Sequence, residues 1–334
     1  MSKKITRRKV LTTGAAGTAM LFGSAVARQA HAWAPGPDKN LVRDLTPGTT
    51  PIRISENFTR RENESVTEAI KRIRENGNTS MYLNRNFWRP VRDSEVGEFK
   101  EALKKYGVLV FEFGGYENII NPDNTRRQRS LKAVASCMEI AEELGAPMVG
   151  TITGSCDPQT GYNVHPDNWT EETWKRTVNS IKQILSDTSG MKVVLGMEAQ
   201  ITTNLDGPKA HKRLQEDVGD PRCVTNLDPT NMCCLANYYH TTELINECFD
   251  LLGESIHGCH AKDTYIWPDT QTVHVQEVCP GRGVLDYETY LVRMSRLKWP
   301  RTIQPEHLPE EDQYPEARAF IRKVAAKVGV KIHE

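Results

Sequence analysis

The chain has 334 residues, enough for one large barrel or two ordinary domains, and 38% apolar with 26% charged residues marks a globular, water-soluble polypeptide rather than a disordered one. Basic and acidic side chains number 43 each, so no basic excess points to nucleic acid and no acidic tail is present. The eight cysteines (137, 156, 223, 233, 234, 248, 259 and 279) show no CxxC pair and no zinc-finger spacing. Most fall on expected strands or helices, where a free thiol behaves as a small hydrophobe; a disulfide framework is the alternative.

Residues 1–32 read as a targeting segment. A basic start is followed by a modest apolar stretch and Ala30-His31-Ala32, a cleavage pattern of the A-x-A type. Arg7 and Arg8, followed by Lys9, Val10 and Leu11, resemble a twin-arginine export signal, which implies a periplasmic or exported protein that folds before it crosses the membrane. Gly14, Gly17 and Gly23 interrupt the apolar stretch, so no stable membrane anchor is expected after cleavage; an uncleaved anchor or a tail is the alternative. Residues 33–50, rich in Pro, Gly and Thr, form an irregular lead-in to a single domain over 51–334.

From there strands and helices alternate. Strands are expected at 51–58, 79–84, 108–113, 146–153, 192–198, 223–228, 256–263 and 301–308. Helices follow at 64–76, 93–107, 126–145, 170–187, 208–219, 241–253, 286–297 and 314–329, with Ser65 and Thr170 near two of the starts and glycine closing several of them. Eight strands, each followed by a helix, predict an α/β fold with parallel pairing, most simply a closed (β/α)8 TIM barrel. An open doubly wound sheet is the alternative, but no GxGxxG follows the first strand.

Chemistry in such a barrel sits where strands end and loops begin. In the second half, the short apolar run "MKVVLGMEAQ" finishes on Glu198, and a buried carboxylate needs a partner. Asp228 ends the sixth strand, His260 lies near the end of the seventh and Glu306 near the end of the eighth. Adjacent staves of a barrel bring such ends together, and three carboxylates with one imidazole suit a single divalent ion: Mn²⁺ first, with Mg²⁺, Co²⁺ or Zn²⁺ as alternatives. Each residue alone has a plainer reading: a carboxylate as helix cap, Asp228 before Pro229 as a turn starter, His260 as a satisfied core histidine. The argument rests on the set.

The runs "LGAPMV", "VVLGME", "NLDPTN", "HAKD", "PGRGVLDYETYL" and "PEHLPEEDQYPEARAFIRKVA", in this order over residues 51–330, resemble the xylose-isomerase-like barrel superfamily, in particular its sugar phosphate isomerase/epimerase group. The resemblance implies a metal site on Glu198, Asp228, His260 and Glu306, with the two glutamates as the acid/base pair. It also implies a homo-oligomer, since relatives are often dimers or tetramers. Two positions depart from the ketose epimerases: Asn231 stands where they carry a histidine and Ile266 where they carry an arginine.

The expected chemistry is proton transfer next to the carbonyl of a sugar or keto-sugar, by Glu198 and Glu306 through a metal-held enediolate. Return of the proton to the opposite face makes an epimer, and to the next carbon an isomer. Loss of a β leaving group makes the protein a lyase, dehydratase or hydratase acting on a keto-sugar or 3-keto-glycoside. A sugar-binding protein without turnover is a further alternative. A DNA-repair endonuclease on the same barrel is disfavoured by nine histidines and zero net charge. Further substrate contacts are expected from His165, Asn231, His257, Lys262, Asp263, Arg282 and Glu112. For Lys262 and Asp263 the plainer reading is a mutual ion pair, and for Arg282 a solvated loop arginine. Trp88, Trp169 and Trp267 follow strands and are candidates to stack on a sugar ring, with core or lid packing as the default. No phosphate-cradling GxxxxGK[ST] loop occurs, and an exported enzyme meets free or oxidised sugars more readily than phosphorylated ones.

Overall fold

The computed structural model describes residues 42–85, 93–268 and 271–334. Eight parallel strands close into a barrel: β1 (Arg53–Asn57), β2 (Ser80–Asn84), β3 (Leu109–Gly114), β4 (Met148–Ile152), β5 (Val194–Glu198), β6 (Cys223–Leu227), β7 (Ile256–Ala261) and β10 (Thr302–Pro305). β1 closes the ring by pairing with β10 on one side and β2 on the other. Each barrel strand is followed by a helix, in order α1 (Val66–Glu75), α2 (Val96–Tyr106), α3 (Asn124–Leu144), α4 (Glu171–Asp187), α5 (Pro208–Val218), α6 (Thr241–Leu252), α7 (Tyr287–Ser295) and α8 (Gln313–Val328). The expected TIM barrel is therefore the observed fold.

Local chemistry accounts for the element ends. Ser65 accepts from Glu68 N while the Glu68 carboxylate returns to Ser65 N, a reciprocal cap that starts α1. Thr170 caps α4 through Thr173 N. Gly145 ends α3 at φ 71°, a conformation that a Cβ disfavours. The apolar faces of these helices and the outward faces of the strands form one continuous core, from Ile52 and Ile54 round to Ile303 and Ile321. A smaller cluster of Phe111, Met148 and Val224 fills the barrel interior.

Two features differ from expectation. The seventh strand ends at Ala261 rather than running through Asp263, and Asp263–Ile266 opens an antiparallel hairpin as β8, paired with β9 (Val275–Val278). This hairpin rises from the rim of the barrel, in a stretch to which, beyond Asp263, the periodicity assigned no strand. Of the lead-in, residues 42–50 lie along α7: Gly48 N donates to Ser295 Oγ, and Arg296 bonds the Thr46 carbonyl. The targeting segment and residues 33–41 lie outside the described residues. All eight cysteines are free, and seven are buried. Among the described residues no helix is long and apolar enough to cross a membrane.

His211 on α5 is buried, and burial alone lowers its pKa to about 3. Its unfolded-state value is about 6.5, so the folded state refuses a proton that the unfolded chain accepts. This contribution to stability is complete above pH 6.5 and is lost as pH falls from about 6.5 toward 3. His211→Leu is expected to remove about 2.5 kcal/mol of the difference in unfolding free energy between pH 7 and pH 4.5, read from urea titrations of parent and variant. Identical pH profiles would contradict it.

Candidate metal centre

β5, β6, β7 and β10 are consecutive staves, and their ends carry Glu198, Asp228, His260 and Glu306. One donor atom from each lies within 4.8 Å of the others. Glu198 is the last residue of β5, while Asp228 and Glu306 each follow the last residue of their strand by one. Asp228 Oδ1 accepts from Thr230 N, which opens the tight turn after β6 and leaves Oδ2 for the site. His260 is fully buried. Its Nδ1 faces Glu306 Oε1 at 3.0 Å, Glu198 Oε2 at 3.4 Å and Asp228 Oδ2 at 3.9 Å.

The opposite ring nitrogen is held from behind. Nε2 lies 3.1 Å from Glu112 Oε2, across the barrel interior from β3. Asn226 Nδ2 donates to the same oxygen, and Tyr116 Oη donates within the pair Glu112 Oε1 and Glu198 Oε2 at 2.9 and 2.8 Å. An imidazole that gives its Nε2 proton to a carboxylate presents the Nδ1 lone pair forward, the arrangement found behind metal-bound histidines. Gly150 makes room for this support, since a Cβ there would sit 2.1 Å from Glu112 Oε1. Gly150→Ala is expected to displace Glu112 and weaken divalent-metal affinity about 10–100-fold, measured by competition with a chelating dye. An unchanged affinity would remove Glu112 from this role.

Lys262 is buried at the edge of the cluster. Its Nζ lies 2.8 Å from Asp228 Oδ2 and 2.7 Å from Glu306 Oε1, off the direction of a hydrogen bond, so both are ion contacts. It donates instead to Asn231 Oδ1 at 3.2 Å and Glu277 Oε1 at 3.4 Å. Burial opposes its charge, but Asp228 and Glu306 outweigh that and hold its pKa well above the ordinary lysine range. Asn231 also donates to Glu198 Oε1 at 2.5 Å.

The donor set fits a divalent cation. Glu112, Glu198, Asp228 and Glu306 bring four negative charges and Lys262 one positive, so the pocket carries three negative charges when His260 is neutral. A doubly charged ion reduces that to one. His260 Nδ1, Asp228 Oδ2 and Glu306 Oε1 are buried without a hydrogen-bond partner, which a buried polar atom tolerates poorly. Without a cation, burial opposes protonation of His260, but Glu306, Glu198 and Glu112 raise its pKa well above the ordinary value. The same field of charge attracts a metal ion.

The structure sorts the remaining expected residues by position. Asn231 and Lys262 reach the cluster; the other five are held by partners away from its open side or lie outside the two rim cavities. His257, the second residue of β7, lies three residues or about 10 Å below His260 and on the opposite face of the strand. There burial and Arg301 lower its pKa to about 4. Asp263 does not pair with Lys262. It is buried, accepting from Thr264, Gly281 and Leu285 backbone N–H groups and so pinning the loop before α7. Arg282 forks onto Glu316 of α8 on the outer surface. His165 caps a short helical turn through Asp167 N and lines neither rim cavity described below. Glu112 is buried behind His260 with both oxygens occupied. Trp169 bonds Asp206 at the surface, Trp267 packs edge-on against Tyr265, and Trp88 lies outside the described residues.

Sequence reasoning missed Tyr116, Asn226, Glu277 and His307. Asn226 was within reach, because it precedes Asp228 by two and so shares its face of β6. Glu277 and His307 close over Lys262, with His307 Nδ1 3.4 Å from Glu277 Oε2. Glu277 arrives on the hairpin, which carried no signal. Two cavities flank this bridge. One is lined by Glu306, His307 and Tyr82, the other by Asn231, Thr264 and Glu277.

The fold and site define a parallel eight-stranded barrel whose C-terminal rim carries a buried Glu/Asp/His/Glu cluster able to hold a metal ion. Residues 70–324 match the family described as xylose isomerase-like TIM barrel, and the chain belongs to that family. It is similar to a putative L-ribulose-5-phosphate 3-epimerase of Haemophilus influenzae, 22% identical over 213 residues, which cover 62% of this chain and 70% of the relative. Two solved structures share the fold. A 3-keto-D-glucoside 4-epimerase from E. coli superposes with a TM-score of 0.61 at 16% identity, covering 81% of this chain and 99% of that one. A xylose isomerase-like TIM barrel protein from Mycobacterium smegmatis in complex with magnesium gives 0.59 at 14% identity, covering 84% and 98%.

Proposed function

We propose that the protein is a divalent-metal-dependent sugar epimerase or isomerase that moves a proton on a carbon next to a carbonyl. The observation that carries this reading is the convergence of Glu198, Asp228, His260 and Glu306 within 4.8 Å at the barrel rim. These four residues would hold the ion, Mn²⁺ by preference for an oxygen-rich set with one nitrogen. When bound, it supplies Lewis-acid polarisation of a carbonyl oxygen and a neighbouring hydroxyl.

The chain's own groups do the rest. Glu306 opens onto one rim cavity, and Glu198 is held by Asn231 at the border of the other, so a substrate lying across the rim meets a carboxylate on each side. One glutamate takes the proton from the carbon next to the carbonyl, and the second returns one. Asn231 and Tyr116 fix Glu198, and the Lys262 ammonium holds Glu306. The reading predicts uptake of one equivalent of Mn²⁺ by purified protein. It also predicts deuterium incorporation from solvent next to the carbonyl of at least one member of a panel of free and oxidised sugars. Absence of exchange across the panel in metal-loaded protein would overturn it. Export is proposed as well, on Arg7, Arg8 and Ala30-His31-Ala32; N-terminal sequencing of secreted protein should begin at Trp33.

A further inference from the structure

The cavity at Glu306 continues well beyond the cluster. Its volume is about 580 Å³, and it runs past Tyr82 and Tyr314 to Arg318 and Asn76 behind β1. Pockets that hold small ligands begin near ~300 Å³, so the space extends past a single sugar ring.

Arg318 stands at the far wall, one helical turn after Tyr314 on α8. It is 9% exposed, yet its guanidinium makes no hydrogen bond among the described residues. The nearest opposite charge is Glu56 Oε2 at 3.7 Å. Glu56 is already occupied by Asn76 Nδ2 at 3.1 and 3.0 Å and Asn78 Nδ2 at 2.7 Å. Its nitrogens are not among the buried polar atoms left without a partner, so they open on the cavity and their donors are free for whatever occupies it. The kind of acceptor follows from the charges on the wall. The wall intersperses Arg61, Arg72, Arg318 and His307 with Glu56 and Glu311, and Arg72 is already engaged by Glu64 and Glu56, so the lining is mixed rather than a cationic cage for a phosphate dianion. Mixed donors and acceptors beside two tyrosine rings are instead the chemistry that recognises a neutral, hydroxyl-rich ring.

We propose that this cavity binds a second sugar ring, so that the substrate is a disaccharide or glycoside rather than a free or phosphorylated monosaccharide. Which ring reacts rests on the proton-transfer reading above; the binding of the distal ring by Arg318 does not. No bond is made or broken in the cavity, and Arg318 acts on specificity.

The test is titration of the full-length protein, loaded with Mn²⁺, with glucose, glucose 6-phosphate, cellobiose, maltose and trehalose, by calorimetry and ligand-observed NMR. At least one disaccharide is expected to bind about tenfold or more tightly than glucose. Arg318→Met, which keeps the packing of the stem, is expected to abolish that preference while leaving glucose binding and Mn²⁺ uptake unchanged. Arg318→Gln, which keeps one donor, should retain part of the preference and stands in if the methionine variant does not fold. The proposal fails if no disaccharide exceeds glucose, if glucose 6-phosphate binds most tightly, or if the preference survives both substitutions. Loss of Mn²⁺ uptake or of proton exchange with intact disaccharide preference would instead strike the catalytic reading and leave this one standing.

Discussion

Glu306→Gln is expected to cut solvent-deuterium exchange into substrate by about 10² to 10⁴-fold while the protein still folds and retains metal. Glutamine keeps an oxygen for ligation and for the Lys262 contact but removes the basic carboxylate. Of the four proposed ligands Glu306 is the most accessible, its side chain 14% exposed against 3% or less for the other three. The measurements are metal content by elemental analysis and exchange by NMR, on the same preparation. A variant that keeps both its metal and its exchange rate would take Glu306 out of the proton transfer. One that loses its metal would make Glu306 mainly a ligand, and Glu198→Gln then provides the comparison.

Lys262→Met should destabilise the metal-free protein by about 3–5 kcal/mol, because it leaves buried carboxylates without their ammonium. Its contacts are with two of the four proposed ligands, Asp228 and Glu306. A divalent ion supplies the charge that the variant lacks, so Mn²⁺ should stabilise Lys262→Met more than the parent. Metal should also bind the variant more tightly, since a neighbouring positive charge has gone. The experiment is urea unfolding in EDTA and in saturating Mn²⁺. Equal stability of parent and variant in EDTA would mean that the carboxylates hold protons instead, and that Lys262 is not their counter-charge.

The positions of the four rim residues could be read in advance because each depends on local pattern. A strand of five residues alternates its faces and ends at a predictable place, and consecutive parallel staves bring their ends together. His257 is placed differently. It lies three residues before His260 in β7, and that odd separation turns it to the opposite face of the strand as well as placing it toward the other end of the barrel. Asp263 and Arg282 are drawn away from the cluster for another reason. Near the site in sequence, they found partners in the 281–285 loop and on α8 before they could face a substrate.

By itself, then, the chain's alternating apolar pattern determined the barrel, its eight helices and the strand ends on which Glu198, Asp228, His260 and Glu306 stand. Tertiary structure alone decided what surrounds them: Glu112, 148 residues before His260, locks its ring from across the barrel, and Lys262 bridges two strands' carboxylates. It also decided that an unforeseen hairpin brings Glu277 over the site and that Arg318 faces an open cavity. Periodicity is set by neighbours a few residues apart, whereas the charge, burial and hydrogen bonding of a pocket depend on groups that only the closed barrel brings within a few ångströms of each other.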